Sequence, residues 1–214
     1  MALISMYDKQ GNLIVSHNIV ASNEWPAGIT TDRKYLWLVD TSATQFEQWD
    51  KQGNLIDSVA IAGILSAAIG LTTDRKYLWT SDFEVPAINQ YDKQGNLIDS
   101  WAPQNPVFDL TTDRKYIWTI EFDFEAVVYI GQYDKQGNNI QLIDITAIIP
   151  PGEGFGITTD RKYLWLVDSV NALVYQFDKQ GNAIDSWACA PGGEMPLSIT
   201  TDRKYLWITS LAPT

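Results

Sequence analysis

The chain has 214 residues, one cysteine (Cys189), one histidine (His17) and a formal net charge of −11. That length suits one sizeable domain. A lone cysteine excludes an intrachain disulfide and a cysteine metal cluster, and the negative charge argues against nucleic acid or an anionic lipid surface as partner. No stretch approaches the roughly 18 apolar residues of a membrane span. Residues 1–7 lack a basic region and a long apolar run, so no signal peptide is read there. The expected location is the cytoplasm or a particle assembled in it.

In chain order, residues 2–7 and 13–19 read as two strands joined by the turn Asp8-Lys9-Gln10-Gly11-Asn12. A second run, Thr-Thr-Asp-Arg-Lys-Tyr, follows with its aspartate at Asp32 and a tryptophan at Trp37. The two runs then alternate. The first restarts at Asp50, Asp92, Asp134 and Asp178; the second has Asp74, Asp113, Asp160 and Asp202, followed by Trp79, Trp118, Trp165 and Trp207. The period is about 43 residues.

In the fourth repeat, residues 155–158, 163–168, 173–177 and 183–187 read as four short strands A to D, rich in Val, Ile, Trp, Tyr and Phe and separated by turn residues. Gly181-Asn182 supplies the positive φ of a tight hairpin. Apolar residues on both sides of a strand suit a blade packed between two neighbours. Four strands at this period predict an all-β fold, a five-bladed β-propeller, as a single domain over residues 1–214. A repetitive open sandwich is the rival. The chain opens on strands C and D (1–19) and ends on A and B (197–209), so the terminal segments are expected to close the fifth blade. Leu3, Ile4, Met6, Tyr7, Leu13 and Ile14 are expected to be buried there.

Gly156-Ile157, Leu164-Trp165-Leu166-Val167-Asp168-Ser169-Val170-Asn171 and Val174-Tyr175-Gln176-Phe177-Asp178-Lys179-Gln180-Gly181 resemble the NHL repeat of β-propellers. The resemblance covers essentially the whole chain. It implies a propeller that binds protein or RNA and only occasionally acts as a catalyst. The arginine usual after the asparagine is replaced by Ala172-Leu173, and no repeat has a basic residue there. That departure counts against RNA.

In a four-stranded meander the A–B and C–D turns share one side, here called the bottom, and the B–C and D–A connections share the top. The bottom turns are near-identical in all repeats; the top segments vary. All 15 Lys and Arg residues fall in the two constant runs, whereas 16 of the 26 acids lie outside them. An acidic, variable top and a mildly basic bottom are expected, with binding on the top.

Three candidate sites follow. Asp40, Asp82, Glu121 and Asp168 stand three residues after their tryptophans, with Ser210 in the fifth place; they read either as a carboxylate ring or as caps of the B–C turn. Glu121-Phe122-Asp123-Phe124-Glu125 alternates carboxylates and aromatics, as a calcium site or as a solvated hairpin. Trp25, Ala27, Ile69, Phe108, Phe155 and Leu197, with Asp109 beside them, approach the axis as the floor of a pocket or as its plug. Trp25 is the best aromatic candidate for sugar stacking or a protein hot spot. The repeated tryptophans read as core. No Ser-His-Asp set, phosphate loop or zinc pattern is present, and Cys189 has no histidine in its repeat. The expectation is a non-enzymatic scaffold, without cofactor, that presents its variable acidic top face to a protein partner, on its own or as a structural component of a larger particle. The alternatives are a carbohydrate-binding propeller and a designed or recently amplified repeat protein without an evolved ligand.

Overall fold

The computed structural model describes residues 2–19, 26–40, 44–61, 68–123, 125–149 and 155–212, with positions 26, 68 and 155 described in backbone only. Among the described residues, twenty strands form five antiparallel four-stranded sheets, a five-bladed β-propeller. Blade 1 is β3 (Pro26–Thr31), β4 (Leu36–Asp40), β5 (Gln45–Trp49) and β6 (Leu55–Ala60). Blade 2 is β7 (Ala68–Thr73), β8 (Leu78–Asp82), β9 (Ala87–Tyr91) and β10 (Leu97–Trp101). Blade 3 is β11 (Val107–Thr112), β12 (Tyr116–Phe122), β13 (Val128–Asp134) and β14 (Asn139–Asp144). Blade 4 is β15 (Phe155–Thr159), β16 (Leu164–Asp168), β17 (Leu173–Phe177) and β18 (Ala183–Ala188).

Blade 5 is composite, ordered β19 (Met195–Thr201), β20 (Leu206–Leu211), β1 (Ala2–Tyr7), β2 (Leu13–Ile19). The closing pair β1–β20 is antiparallel over its length, with Ile4 opposite Thr209 and Tyr7 opposite Leu206. The expected closure therefore holds, but its burial differs in part. Ile4 and Tyr7 are buried and Leu3 and Met6 are half-buried. Leu13 and Ile14 are instead 45% and 50% exposed. Their strand is the outermost of its blade and has a neighbour on one edge only. The matching residues Leu55, Ile56, Leu97, Ile98, Ile140 and Ile184 are exposed in the same way.

The core lies between blades. Trp37, Trp79, Trp118, Trp165 and Trp207 are all buried. Each forms part of a mixed cluster, as where Trp207 joins Ile4, Ile29, Leu38 and Trp49. The C–D turn of each blade leans on the outer strand of the preceding one. A Cβ added to Gly53, at φ +84°, would meet His17 at 2.7 Å, so this glycine serves both the turn and the contact.

The inner strands β3, β7, β11, β15 and β19 pack side by side in a closed ring. Four residues before the turn aspartates, Gly28, Gly70, Asp109, Gly156 and Ser198 occupy equivalent places. A Cβ on Gly28 would stand 2.6 Å from the Leu71 nitrogen, and one on Gly156 would stand 2.7 Å from the Ser198 Cα. Backbones therefore approach too closely for five side chains, and Asp109 takes much of the space. Its Oδ2 accepts from the Ile157 N–H at 3.0 Å and the Ser198 hydroxyl at 2.9 Å, and its Oδ1 from the Leu110 N–H at 2.8 Å. The Ser198 Oγ in turn accepts from the Ile29 N–H at 3.3 Å. This single carboxyl group ties blades 3, 4 and 5 together and, through Ser198, blade 1.

Candidate functional site

Of the two readings of the four carboxylates, the ring open to solvent does not hold. Asp40, Asp82, Glu121 and Asp168 are all buried, at 0–1% exposure. Where the strand B end meets the B–C turn, the carboxylate turns back to the chain. Asp168 accepts from the Val170 and Asn171 N–H groups at 2.9 and 3.1 Å and from the Asn171 side-chain amide at 2.8 Å. Asp82 accepts from the Val85 N–H at 3.1 Å. These contacts match the capping reading.

Glu121 also faces inward, bonded to the Thr119 hydroxyl at 2.5 Å and the Asn105 amide at 3.2 Å. Burial is the largest influence on it and raises its pKa. The hairpin expected at 121–125 is present, with β12 ending at Phe122 opposite Val128 and Glu125 exposed, but it is not solvated throughout, since Glu121 is buried; Asp123 caps the turn. Its Oδ1 accepts from the Glu125 and Val127 N–H groups at 2.9 and 2.8 Å, and its Oδ2 from the Tyr129 hydroxyl at 3.2 Å. No three such side chains gather into a metal-binding group among the described residues. Asp109 is the axial carboxyl group described above. Trp25 and the Phe155 side chain lie outside the described residues.

On the top, Phe108 joins an aromatic cluster of tilted and edge-to-face rings. Its ring centroid lies 4.8 Å from that of Phe83 and 4.8 Å from that of Phe122. Phe83 is exposed and Val85, in the same β8–β9 connection, is 59% exposed; Glu84 and Glu125 are exposed beside them. Asp57, Asp99 and Asp185, outside the constant runs, are exposed on outer strands at the rim.

The constant face is built from one unit repeated in each blade. In blade 1, Asp32 Oδ1 accepts from the Lys34 and Tyr35 N–H groups at 3.1 and 3.0 Å, and Oδ2 from the Trp37 indole at 3.1 Å. The same Oδ2 takes Lys93 of the following blade at 2.7 Å. Lys51–Asp202 at 2.5 Å, Lys179–Asp113 at 3.1 Å, Lys9–Asp160 and Lys135–Asp74 continue the pattern around the disc. These lysines also sit over the tryptophan of the preceding blade, from 4.3 Å for Lys179 over Trp118 to 6.0 Å for Lys135 over Trp79. Burial raises the pKa of these five aspartates, yet the lysine and backbone bonds, joined by an indole bond in every blade but the second, outweigh it and hold each below its ordinary value.

A second set, Lys34, Lys76, Lys115, Lys162 and Lys204, lies over the adjacent tyrosines at 4.6–4.8 Å. The third set is Arg33, Arg75, Arg114, Arg161 and Arg203, all at positive φ between 82° and 91°. With Thr31, Thr73, Thr112, Thr159 and Thr201, and four of the turn aspartates, they line a cavity of about 330 Å³. Sequence reasoning counted these bases but set them against the aspartates of the same turns. The signal that separates them is arithmetic within one repeat. One aspartate of each blade is capped by its own turn, as Asp8 is by Asn12, the other is paired with one lysine, and of the three cations in each repeat two have no ion-pair partner among the described residues.

The ring of blades places the chain among β-propeller proteins. No family model matches it, and no curated protein matches it in sequence. Solved structures do. Virginiamycin B lyase from Staphylococcus aureus, in a catalytically inactive form with quinupristin, is 14% identical over 95% of this chain and 71% of its own, with a TM-score of 0.54. Glutaminyl cyclase from Myxococcus xanthus is 9% identical over 87% and 90%, at 0.66. A nidogen/laminin complex is 14% identical over 97% and 85%, at 0.66. These likenesses show the fold alone. They correct one expectation: a lyase and a cyclase share this architecture, so the absence of a familiar triad does not make the chain a non-enzyme.

Proposed function

We propose that this chain is a binding propeller whose variable top face docks a protein partner. One observation carries the reading: the clustered rings of Phe83, Phe108 and Phe122, with exposed Val85 and flanking carboxylates at Glu84 and Glu125. Aromatic anchors inside a polar rim are the usual make-up of an interface centre. Carboxylates at the rim favour a partner with basic groups around an apolar segment. The nidogen/laminin neighbour is a protein–protein complex on a similar fold, and the NHL-like character of the repeat fits the same role.

The test is selection of a displayed peptide library on the immobilised protein. Winning peptides are then measured against a Phe83→Ala/Val85→Asp variant. Enriched sequences should carry apolar residues with flanking Lys or Arg, and the variant should bind them at least about tenfold more weakly, as expected for loss of a hot spot. Peptides that bind both proteins equally would remove the top face as the docking surface.

A further inference from the structure

The arginine-ringed cavity lies on the opposite face and takes no part in that docking. We propose that it is a binding site for a compact polyanion carrying several phosphate groups, seated on the propeller axis and held by Arg33, Arg75, Arg114, Arg161 and Arg203.

The charges leave little alternative use for these side chains. The aspartates around the cavity are occupied: Asp74, Asp113, Asp160 and Asp202 each hold a lysine of the following blade, and Asp32 holds Lys93. Among the described residues every ion pair is made by a lysine, none by an arginine. Five guanidinium groups therefore share one mouth without an ion pair, the aspartates that line it with them being paired to lysines. They act on one another: beside partial desolvation, Arg33 has its pKa lowered by Arg203, Arg75, Arg161 and Arg114, so the repulsion runs around the whole ring. The backbone keeps them there in the left-handed region, a conformation in which glycine would avoid the strain.

A phosphate-rich ligand answers each of these features. The guanidinium fork pairs with phosphate oxygens two at a time. Several anionic groups in one small molecule offset repulsion from all sides of a ring, which a single anion reaches less well. The cavity of about 330 Å³ lies at the small end of ordinary small-molecule sites, about 300–1,000 Å³. A nucleic-acid strand spaces its phosphates along a line and offers a five-fold mouth few of them at once, so the occupant is a free small polyphosphate.

The experiment is isothermal titration of the full chain with sodium tripolyphosphate and, separately, with inorganic phosphate, at low salt. Tripolyphosphate should saturate one site per chain and raise the melting temperature. Inorganic phosphate should bind at least about tenfold more weakly. An Arg114→Gln/Arg161→Gln variant should lose about a hundredfold in affinity, two charge-assisted bonds being removed. Without ligand the same variant should melt at or above the parent, because like charges have been taken away; that readout separates a lost site from a damaged fold. Lys204→Gln, on the same face but outside the cavity lining, should stay within about threefold of the parent. The proposal fails if tripolyphosphate shows no saturable binding, if the double variant binds as the parent does, or if Lys204→Gln weakens binding as much as the double variant. It also fails if a single-stranded oligonucleotide competes as tightly as tripolyphosphate.

Discussion

Closure of the ring by the terminal strands can be tested with two isoleucines ten residues apart. Ile4 on β1 is fully buried, packed with Ala2, Ile19, Ile29, Leu36, Leu38, Trp49 and Trp207. Its cluster draws on strands of blades 5 and 1. Ile14 on β2 is half exposed. Truncating a buried isoleucine to alanine costs about 2–5 kcal/mol, because the cavity left behind relaxes only in part. For a chain of this size each kcal/mol lowers the melting temperature by about 2–4 °C, so Ile4→Ala should melt about 4–20 °C below the parent. Ile14→Ala is a surface change worth about 0.5 kcal/mol or less, a shift of at most about 2 °C. Deleting residues 1–19 removes both strands, including Ile4, Tyr7 and Ile19. At about 1.5–3 kcal/mol for each large side chain, those three amount to about 5–9 kcal/mol, set against a typical net stability of about 5–15 kcal/mol. The truncated protein should also expose the β20 edge and aggregate. Circular-dichroism melts of the three proteins, with soluble yield for the truncation, supply the data. Equal shifts for the two alanine variants, or a truncation melting within a few degrees of the parent, would refute the inward placement of β1 and the closure it supports.

Stability should pass through a maximum in mildly acidic solution. The five lysine-bonded aspartates have lowered pKa values. Their contribution is complete above the ordinary aspartate value of about 3.9 and disappears as the pH falls through their folded values. Asp109 has the opposite sign: burial, the largest influence, outweighs its hydrogen bonds and pushes it up to about 8. Its contribution is therefore complete below about pH 3.9 and declines as the pH rises towards about 8. Urea midpoints at about pH 5 and about pH 8.5 should show the parent weaker at the higher pH and Asp109→Asn without that fall; a parent with equal midpoints would contradict the assignment. Gly28→Ala should cost about 1–3 kcal/mol or more by overpacking, since the obstacle is the Leu71 backbone nitrogen. Gly193→Ala, with nothing within 4 Å, should carry only the backbone cost of its φ of +83°, about 1–2 kcal/mol, and a Gly28→Ala protein as stable as its parent in urea would show that the inner strands have room to part.

Much of the architecture was legible in the sequence because each repeat carries its own punctuation. Asp-Lys-Gln-Gly-Asn sets the hairpin through the positive φ of its glycine and bonds within a few residues, such as Asp8 to the Gln10 and Asn12 N–H groups at 2.9 Å, and Thr-Thr-Asp-Arg-Lys sets the other bottom turn in the same way, with Thr31 Oγ1 bonded to the Tyr35 carbonyl at 2.8 Å and Asp32 to the Lys34 and Tyr35 N–H groups. Local chemistry of this kind is the same wherever the repeat sits, so the strands, their number and the incomplete terminal blade could be read directly. The direction of each side chain was not local. Asp40, Asp82, Glu121 and Asp168 read either as a ring of charges or as caps of the B–C turn, and only the packed blade decides between the two by turning them inward. Leu13 and Ile14 read as core, and only their place at the outer edge of a sheet exposes them.

The partner of each charge was decided later still, by the ring as a whole. Lys93 finds Asp32 across a blade boundary, 61 positions away in the chain, and Lys9 finds Asp160 across 151. The arginines then stand without an ion pair at one mouth because blades far apart in sequence arrive there together. A repeat determines its own turns through short-range bonds. Which cations are neutralised, and which are left to face a ligand, depends on Coulomb interactions between repeats, and those exist only once the circle has closed.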